Sequence, residues 1–188
     1  MQKIVSYLLP VIFGSLLVYG CNSNPDYESL VKQGVESADM YNELFLGYEL
    51  GMTRDDFYEI SWELNRQEVI SGLVKIDYPF NELKARATKR FYPNFVDDRI
   101  SKIPVDVHYH SWAPWNEEFS SDTLVVDLVD YYKDKFNTDF HRVYVPHLEK
   151  EAYVSVQGNR AITVSTSTEM IARVEYIDLN HIQNQDSE

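Results

Sequence analysis

The sequence predicts an α+β fold: a leading helix, then two units that each pass from a helix into antiparallel strands, all packed as one domain. Three stretches repeat apolar residues at steps of three and four, the period of an amphipathic helix. Segments rich in β-branched and aromatic residues follow the second and third of these stretches and alternate with a period of two. Helices segregated from runs of neighbouring strands favour an antiparallel sheet over a parallel nucleotide-binding fold.

The first two helices are predicted from apolar spacing and from one capping signal. The leading helix is predicted over Asp26–Phe45, where most apolar residues recur at helical steps with charged residues between them. The second is predicted over Arg54–Arg66, because Thr53 can cap its first turn while Asp56 occupies the third helical position.

The first group of strands follows the second helix directly. Their patterns predict three strands broken by prolines at positions 79, 93 and 104, over 69–78, 84–91 and 99–110. Short breaks between alternating runs indicate an antiparallel meander.

The second unit repeats this order of elements. Ser121 and Asp122 can cap a third helix, and Asn137 is suited to the left-handed conformation that ends one. The strands that follow are predicted over 143–145, 153–157, 161–166 and 171–178. Gly158-Asn159 predicts a hairpin between two of them. The two units share little sequence, which leaves a structural repeat open.

Composition and charge limit the classes of ligand that the folded part is expected to bind. The chain has 188 residues, with 17 Lys and Arg against 30 Asp and Glu, for a net charge of −13. The first 20 residues contain only Lys3, so the remainder carries 16 basic against 30 acidic side chains, a net charge of −14. Nucleic acids require a basic surface, and anionic lipids attract one, so neither is expected to bind the folded part.

The amino terminus has the architecture of a secretory signal peptide. Lys3 precedes Ile4–Gly20, 17 residues without a charge, and Cys21 follows at once as the single cysteine of the chain. The sequence Leu16-Leu17-Val18-Tyr19-Gly20-Cys21 resembles the lipobox of bacterial lipoproteins, although Tyr19 is bulkier than that family usually has.

The lipobox resemblance implies a lipid anchor. It implies that the thiol of Cys21 receives a diacylglyceryl group before the chain is cleaved between Gly20 and Cys21. The freed amine is then often acylated too, with a chain such as palmitate, and several acyl chains together anchor a protein stably. Asn22 in place of Asp implies sorting to the outer membrane, and the leaflet faced by the domain stays open. The predicted organisation is a signal peptide over 1–20, a lipidated tether over 21–29, a globular domain over 30–180 and a frayed tail over 181–188.

Two short motifs resemble other envelope lipoproteins. Gly51-Met52-Thr53 followed by Phe57 resembles the helix entry of small outer-membrane assembly lipoproteins, such as the lipoprotein subunit of the β-barrel assembly machinery. Phe91-Tyr92-Pro93 and Trp112-Ala113-Pro114-Trp115-Asn116 look like segments of uncharacterised lipoproteins of the Bacteroidota, which imply a cell-envelope location and no particular activity.

The common catalytic motifs are missing from the sequence, and we predict no catalytic residue, no cofactor and no metal. P-loop, dinucleotide, nucleophile-elbow and HExxH patterns are all lacking. His108 and His110 share one face of a predicted strand with Asp106, and His141 or His147 could complete a metal site there. The simpler interpretation is that these side chains lie on the solvated face of a sheet.

One connection concentrates aromatic side chains: Tyr109, Trp112, Trp115 and Phe119 lie around Pro114. If they are exposed, Tyr109, Trp112 and Trp115 could contact a ligand or a partner, by stacking on sugar rings for example. If they are buried, they hold the connection onto the core. The sequence thus favours a lipid-anchored, non-enzymatic envelope protein that binds a protein partner or supports the envelope. A glycan-binding surface lipoprotein that uses Trp112 and Trp115, and an unrecognised hydrolase, stay open as alternatives.

Overall fold

The structure, a computed structural model, describes residues 25–181. The predicted signal peptide, the cleavage site at Gly20 and Cys21, the lipidation of Cys21 and the tail after His181 lie outside the described residues. No helix within residues 25–181 is both long enough and apolar enough to cross a bilayer.

Eight antiparallel strands form one sheet, and the predicted α+β class is confirmed. The spatial order is β1-β2-β4-β8-β7-β6-β5, with β3 paired to β4 at one end. The strands are β1 Ile76–Phe80, β2 Ala87–Phe91, β3 Asn94–Val96, β4 Arg99–Tyr109, β5 His141–Val145, β6 Lys150–Gln157, β7 Arg160–Thr166 and β8 Ala172–Asp178. Each unit is a meander, and the two meanders meet where their last strands, β4 and β8, pair antiparallel.

Three α-helices flank the sheet: α1 Tyr27–Glu36, α2 Arg54–Arg66 and α3 Ser121–Phe136. Helix α2 has the predicted bounds, and the Thr53 side chain caps it by accepting a hydrogen bond from the Asp56 backbone N–H. Helix α3 is capped by Ser120, one residue earlier than predicted, and it ends at Asn137 with φ +48°, as predicted.

The main core lies on the face of the sheet that α2 and α3 cover. It joins the two units in one apolar cluster that contains Phe57 of α2, Phe91 of β2, Leu128 of α3 and Tyr176 of β8. The opposite face is covered by α1 over β5–β8, where Leu30 packs with Val143 and Val154. We call these the main face and the α1 face.

The prediction of helix through Phe45 is wrong after Glu36. Tyr41 N–H donates to Asn159 Oδ1 at 2.7 Å, and the Glu43 carbonyl accepts from Arg160 Nη1 at 2.6 Å. These bonds hold the segment after α1 across the β6–β7 turn, and Ala38 has φ +55°. Leu44 and Phe45 thereby enter the main core, whereas Leu30 of α1 packs on the other face. Helical spacing cannot describe a chain that crosses from one face of a sheet to the other.

The strand predicted over 69–78 is also too long, because β1 begins only at Ile76. Val69 N–H instead bonds the Leu64 carbonyl, which closes the end of α2. Prolines 79 and 104, predicted as strand breakers, lie inside β1 and β4. β1 is an edge strand, where proline is tolerated, and Pro104 falls between the residues of β4 that pair with β2 and those that pair with β3.

Candidate functional site

The two candidate histidine ligands lie together without a third ligand. The rings of His108 and His110 have centroids 6.0 Å apart on the α1 face of β4, and His110 Nε2 lies 2.8 Å from Thr88 Oγ1. Asp106 on the same face is bound instead by Arg173, with Nε 2.6 Å from Oδ1. Residues 25–181 contain no group of three or more His, Cys, Asp or Glu side chains placed to hold a metal ion. This face of β4 is a hydrogen-bonded polar surface.

The aromatic connection after β4 is split between core and solvent. Tyr109 is only 1% exposed, and its hydroxyl donates to Asp127 Oδ2 at 2.6 Å, so it links β4 to α3. Trp112 is half-buried, whereas Trp115 is 86% exposed. Of the three side chains proposed to contact a ligand, Trp115 alone projects fully into solvent.

A cavity of about 660 Å³ opens on the α1 face at the amino-terminal end of α1. Residues from four separate parts of the chain form its apolar walls: Tyr27, Phe95, Val96, Pro146 and Ile177. Concave apolar sites with a few convergent polar groups are the usual form of a small-molecule site. We call this the α1-end cavity.

Two polar groups of the α1-end cavity, Lys102 and His147, are positioned by one buried carboxylate. Glu175 of β8, with a side chain only 5% exposed, accepts from Lys102 Nζ at 2.7 Å and lies 3.1 Å from His147 Nε2. Burial alone would raise the pKa of Glu175, but its hydrogen bond and ion pair with Lys102, reinforced by His147, outweigh burial and lower that pKa. Glu175 is therefore ionised at neutral pH and fixes both side chains at the cavity edge.

A second candidate surface lies on α2, on the side away from the core. We call Tyr58, Trp62 and Leu73 the α2 apolar surface; Trp62 is 67% exposed and Leu73 is 80% exposed. The loop that carries Leu73 is tied to the helix because Asn65 Nδ2 donates to the Gly72 carbonyl at 3.2 Å. Gly72 has φ +98°, and a Cβ there would overlap the Lys75 carbonyl, so the turn requires glycine. The fold thus holds large apolar side chains in solvent.

The rim of the α2 apolar surface is acidic. Asp55 and Glu59 occupy the turns of α2 before Trp62 and are exposed, and neither pairs with a cation within residues 25–181. Arg66 lies 5.8 Å over the Trp62 ring, but its charge is engaged by Glu63 at 2.7 Å. The surface therefore combines exposed apolar area with uncompensated negative charge.

Sequence patterns missed both sites for different reasons. Helical spacing places Trp62 on the side of α2 next to the side that contains Phe57 and Leu64, but its exposure depends on what packs beside the helix. Glu175 lies between the core residues Val174 and Tyr176, so alternation with a period of two predicts that its side chain faces solvent. In the structure it is buried, because the segment that contains His147 lies over it. Only tertiary contacts between distant segments create the α1-end cavity.

The chain matches no family model, no curated protein and no solved structure.

Proposed function

We propose that this chain is a lipid-anchored protein of the bacterial cell envelope, held at the outer membrane through Cys21, whose folded part binds a protein partner through the α2 apolar surface. The observation that carries the binding proposal is the group of large apolar side chains that the fold keeps in solvent around Trp62. A patch of this kind rimmed by polar residues is typical of an interaction site.

The chemistry of the surface specifies the kind of partner. Asp55 and Glu59 line up with Trp62 on one side of α2, so a partner segment should present a large apolar side chain next to Lys or Arg. Tryptophan is among the residues that most often dominate binding energy at protein interfaces. The partner is therefore expected to be a protein with a basic, partly apolar segment.

The anchor is supported by the amino-terminal sequence alone. We expect wild type made in a bacterial host to lose residues 1–20, to gain the mass of attached lipid and to enter the detergent phase. Cys21→Ser should do none of these, because serine cannot form the thioether. Mass spectrometry of the intact chain and detergent partitioning test this directly. Identical behaviour of the two chains would exclude lipidation.

The partner surface is tested with two matched exposed tryptophans. A photo-crosslinking residue at position 62 or at position 115 identifies the neighbouring protein in the envelope, which is then purified for binding measurements. Trp62→Ala should weaken its binding by about 30-fold, the effect of removing a hot-spot side chain worth about 2 kcal/mol. Trp115→Ala should bind like wild type. Equal binding by wild type and Trp62→Ala would place the interface elsewhere.

Glycan binding is the second candidate, favoured by the 86% exposure of Trp115. Aromatic rings that project into solvent suit stacking on sugars. In this case Trp115→Ala abolishes saccharide binding while Trp62→Ala preserves it, the reverse of the pattern expected for the protein partner.

A further inference from the structure

We propose that the α1-end cavity binds a fatty carboxylate, with the apolar chain against Val96 and Ile177 and the carboxylate at Lys102 and His147. This site is separate from the α2 apolar surface, and the proposal does not depend on the lipid anchor. It follows from the shape of the cavity, from the buried ion pair at its edge and from the charge of the groups that face it.

The walls of the cavity are held by elements that are distant in sequence. Val96 lies on β3, where pairing with Arg99 of β4 fixes its backbone at the cavity. Tyr27 begins α1, and its ring meets the His147 ring edge-on at a centroid distance of 6.0 Å. Ile177 of β8 is buried in the sheet. Because the walls belong to the sheet and to elements docked on it, the cavity is preformed. A ligand therefore binds without the free-energy cost of ordering the protein around it.

The polar end retains unused hydrogen-bond donors. A lysine ammonium has three donors, and Glu175 engages Lys102 at 2.7 Å. The His147 ring contacts Glu175 through Nε2 and keeps its second nitrogen. Since Glu175 positions both side chains at the edge of the cavity, their remaining donors can converge on one acceptor group there.

The charge balance identifies that acceptor as an anion. Within this group the carboxylate of Glu175 is matched by the ammonium of Lys102, so the polar end carries no net negative charge. This contrasts with the net charge of −13 for the whole chain. An anionic head group with an apolar tail satisfies both ends of the cavity, because charge-assisted hydrogen bonds to a carboxylate are stronger than neutral ones.

The test uses oleate as the probe and oleyl alcohol as its uncharged counterpart. The full chain is prepared as Cys21→Ser so that no acyl group of its own competes, and binding is measured by titration calorimetry. We expect saturable binding of oleate and at least tenfold weaker binding of the alcohol. Lys102→Met should weaken oleate binding at least tenfold, whereas Lys102→Arg should retain it because the positive charge remains.

A second variant is needed because Lys102→Met breaks a buried ion pair and could lose oleate binding simply by unfolding. Val96→Trp fills the cavity from β3 and leaves the residues of the ion pair, Glu175, Lys102 and His147, unsubstituted, and it should abolish oleate binding. Val126→Trp, on the exposed side of α3, is the matched control and should bind like wild type. Equal affinity for oleate and oleyl alcohol, or unchanged binding by Val96→Trp, would overturn the proposal. Neither result bears on binding of a protein at Trp62.

Discussion

Lys89 is the residue whose position departs most from ordinary chemistry. It projects from β2 into the main core and is 1% exposed. Its Nζ lies 3.6 Å from the centroid of the Phe80 ring, with Tyr131 and Tyr132 at 5.2 and 5.3 Å. Burial lowers its pKa to about 7, and repulsion from Lys135 contributes, while Glu82 acts in the opposite direction. The rings offset part of the cost of burying an ammonium group.

The first prediction is that Lys89→Met stabilises the protein, and by more at pH 7 than at pH 10. The pKa of Lys89 is about 7 in the folded protein against 10.5 when unfolded, so between these values the unfolded chain binds the extra proton. Wild-type stability therefore rises from pH 7 towards pH 10.5, and below pH 7 the penalty is constant. The advantage of methionine should shrink by about 3 kcal/mol between pH 7 and pH 10.

Urea unfolding of both proteins across this pH range measures that difference. Comparing the two at each pH removes the contribution of every other titrating group. Lys84→Met is the control, because Lys84 pairs with Asp127 on a partly exposed part of the surface and should show no comparable trend. If the free energies of unfolding of wild type and Lys89→Met differ by the same amount at every pH, the buried amine of Lys89 does not lose its proton more readily in the folded protein than in the unfolded chain.

At the residue scale, local hydrogen-bond chemistry was predictable and burial was less so. Thr53 as the cap of α2 and Asn137 as the end of α3 follow from side chains and backbone within one turn. Lys89 alternates with Ala87 and Phe91, and this period-two pattern assigns it to the core face. Which aromatic rings would enclose the amine depends on Phe80 of the neighbouring strand β1 and on the distant helix α3.

At the element scale, the docking of α1 depends on one glycine. Gly34 is buried in the helix, and a Cβ there would overlap the Val156 side chain and lie 2.8 Å from the Gly158 carbonyl oxygen. Helix and sheet thus approach more closely than any larger residue permits. The same closeness places Tyr27 where it lines the α1-end cavity.

The second prediction is that Gly34→Ala destabilises the protein although alanine is the better helix former. The gain in helix propensity is about 1 kcal/mol, while overpacking at a closed contact costs about 1 to 3 kcal/mol and separates α1 from β6. Hydrogen exchange should become faster in α1 before it does so in the sheet. Gln33→Ala, one position away and exposed, should keep wild-type protection. Unchanged or slower exchange in Gly34→Ala would show that α1 and β6 leave room for a methyl group at position 34.

Elements whose ends and buried side are set by their own residues were predicted well. Elements whose bounds depend on contacts with distant parts of the chain were not. Helix α2 carries its own cap and apolar side, so its bounds were correct. Strand β3 has three residues and exists because Asn94–Val96 pair with β4, which no local pattern records. The segment after α1 has helical spacing, but Asn159 and Arg160 bind its backbone in another form.

At the scale of the whole molecule, the two units are joined through both the sheet and the core. β4 and β8 pair along six residues each, from Lys102–Ile177 to Val107–Ala172. The main core contains Phe57 and Phe91 from the first unit with Leu128 and Val164 from the second. Separation would expose the apolar side of both strands and one open edge on each half.

The third prediction is that the two units unfold in one transition despite their repeated order of elements. Amide exchange in β1 and β2 reports on the first unit. Amide exchange in β6 and β7 reports on the second. Because both units supply residues to the main core, both signals should change at the same urea concentration. The fragment 1–115 should stay unfolded, since its β4 would present Val105 and Val107 without α3 to cover them. Two separate midpoints, or a folded fragment, would instead make each unit a domain.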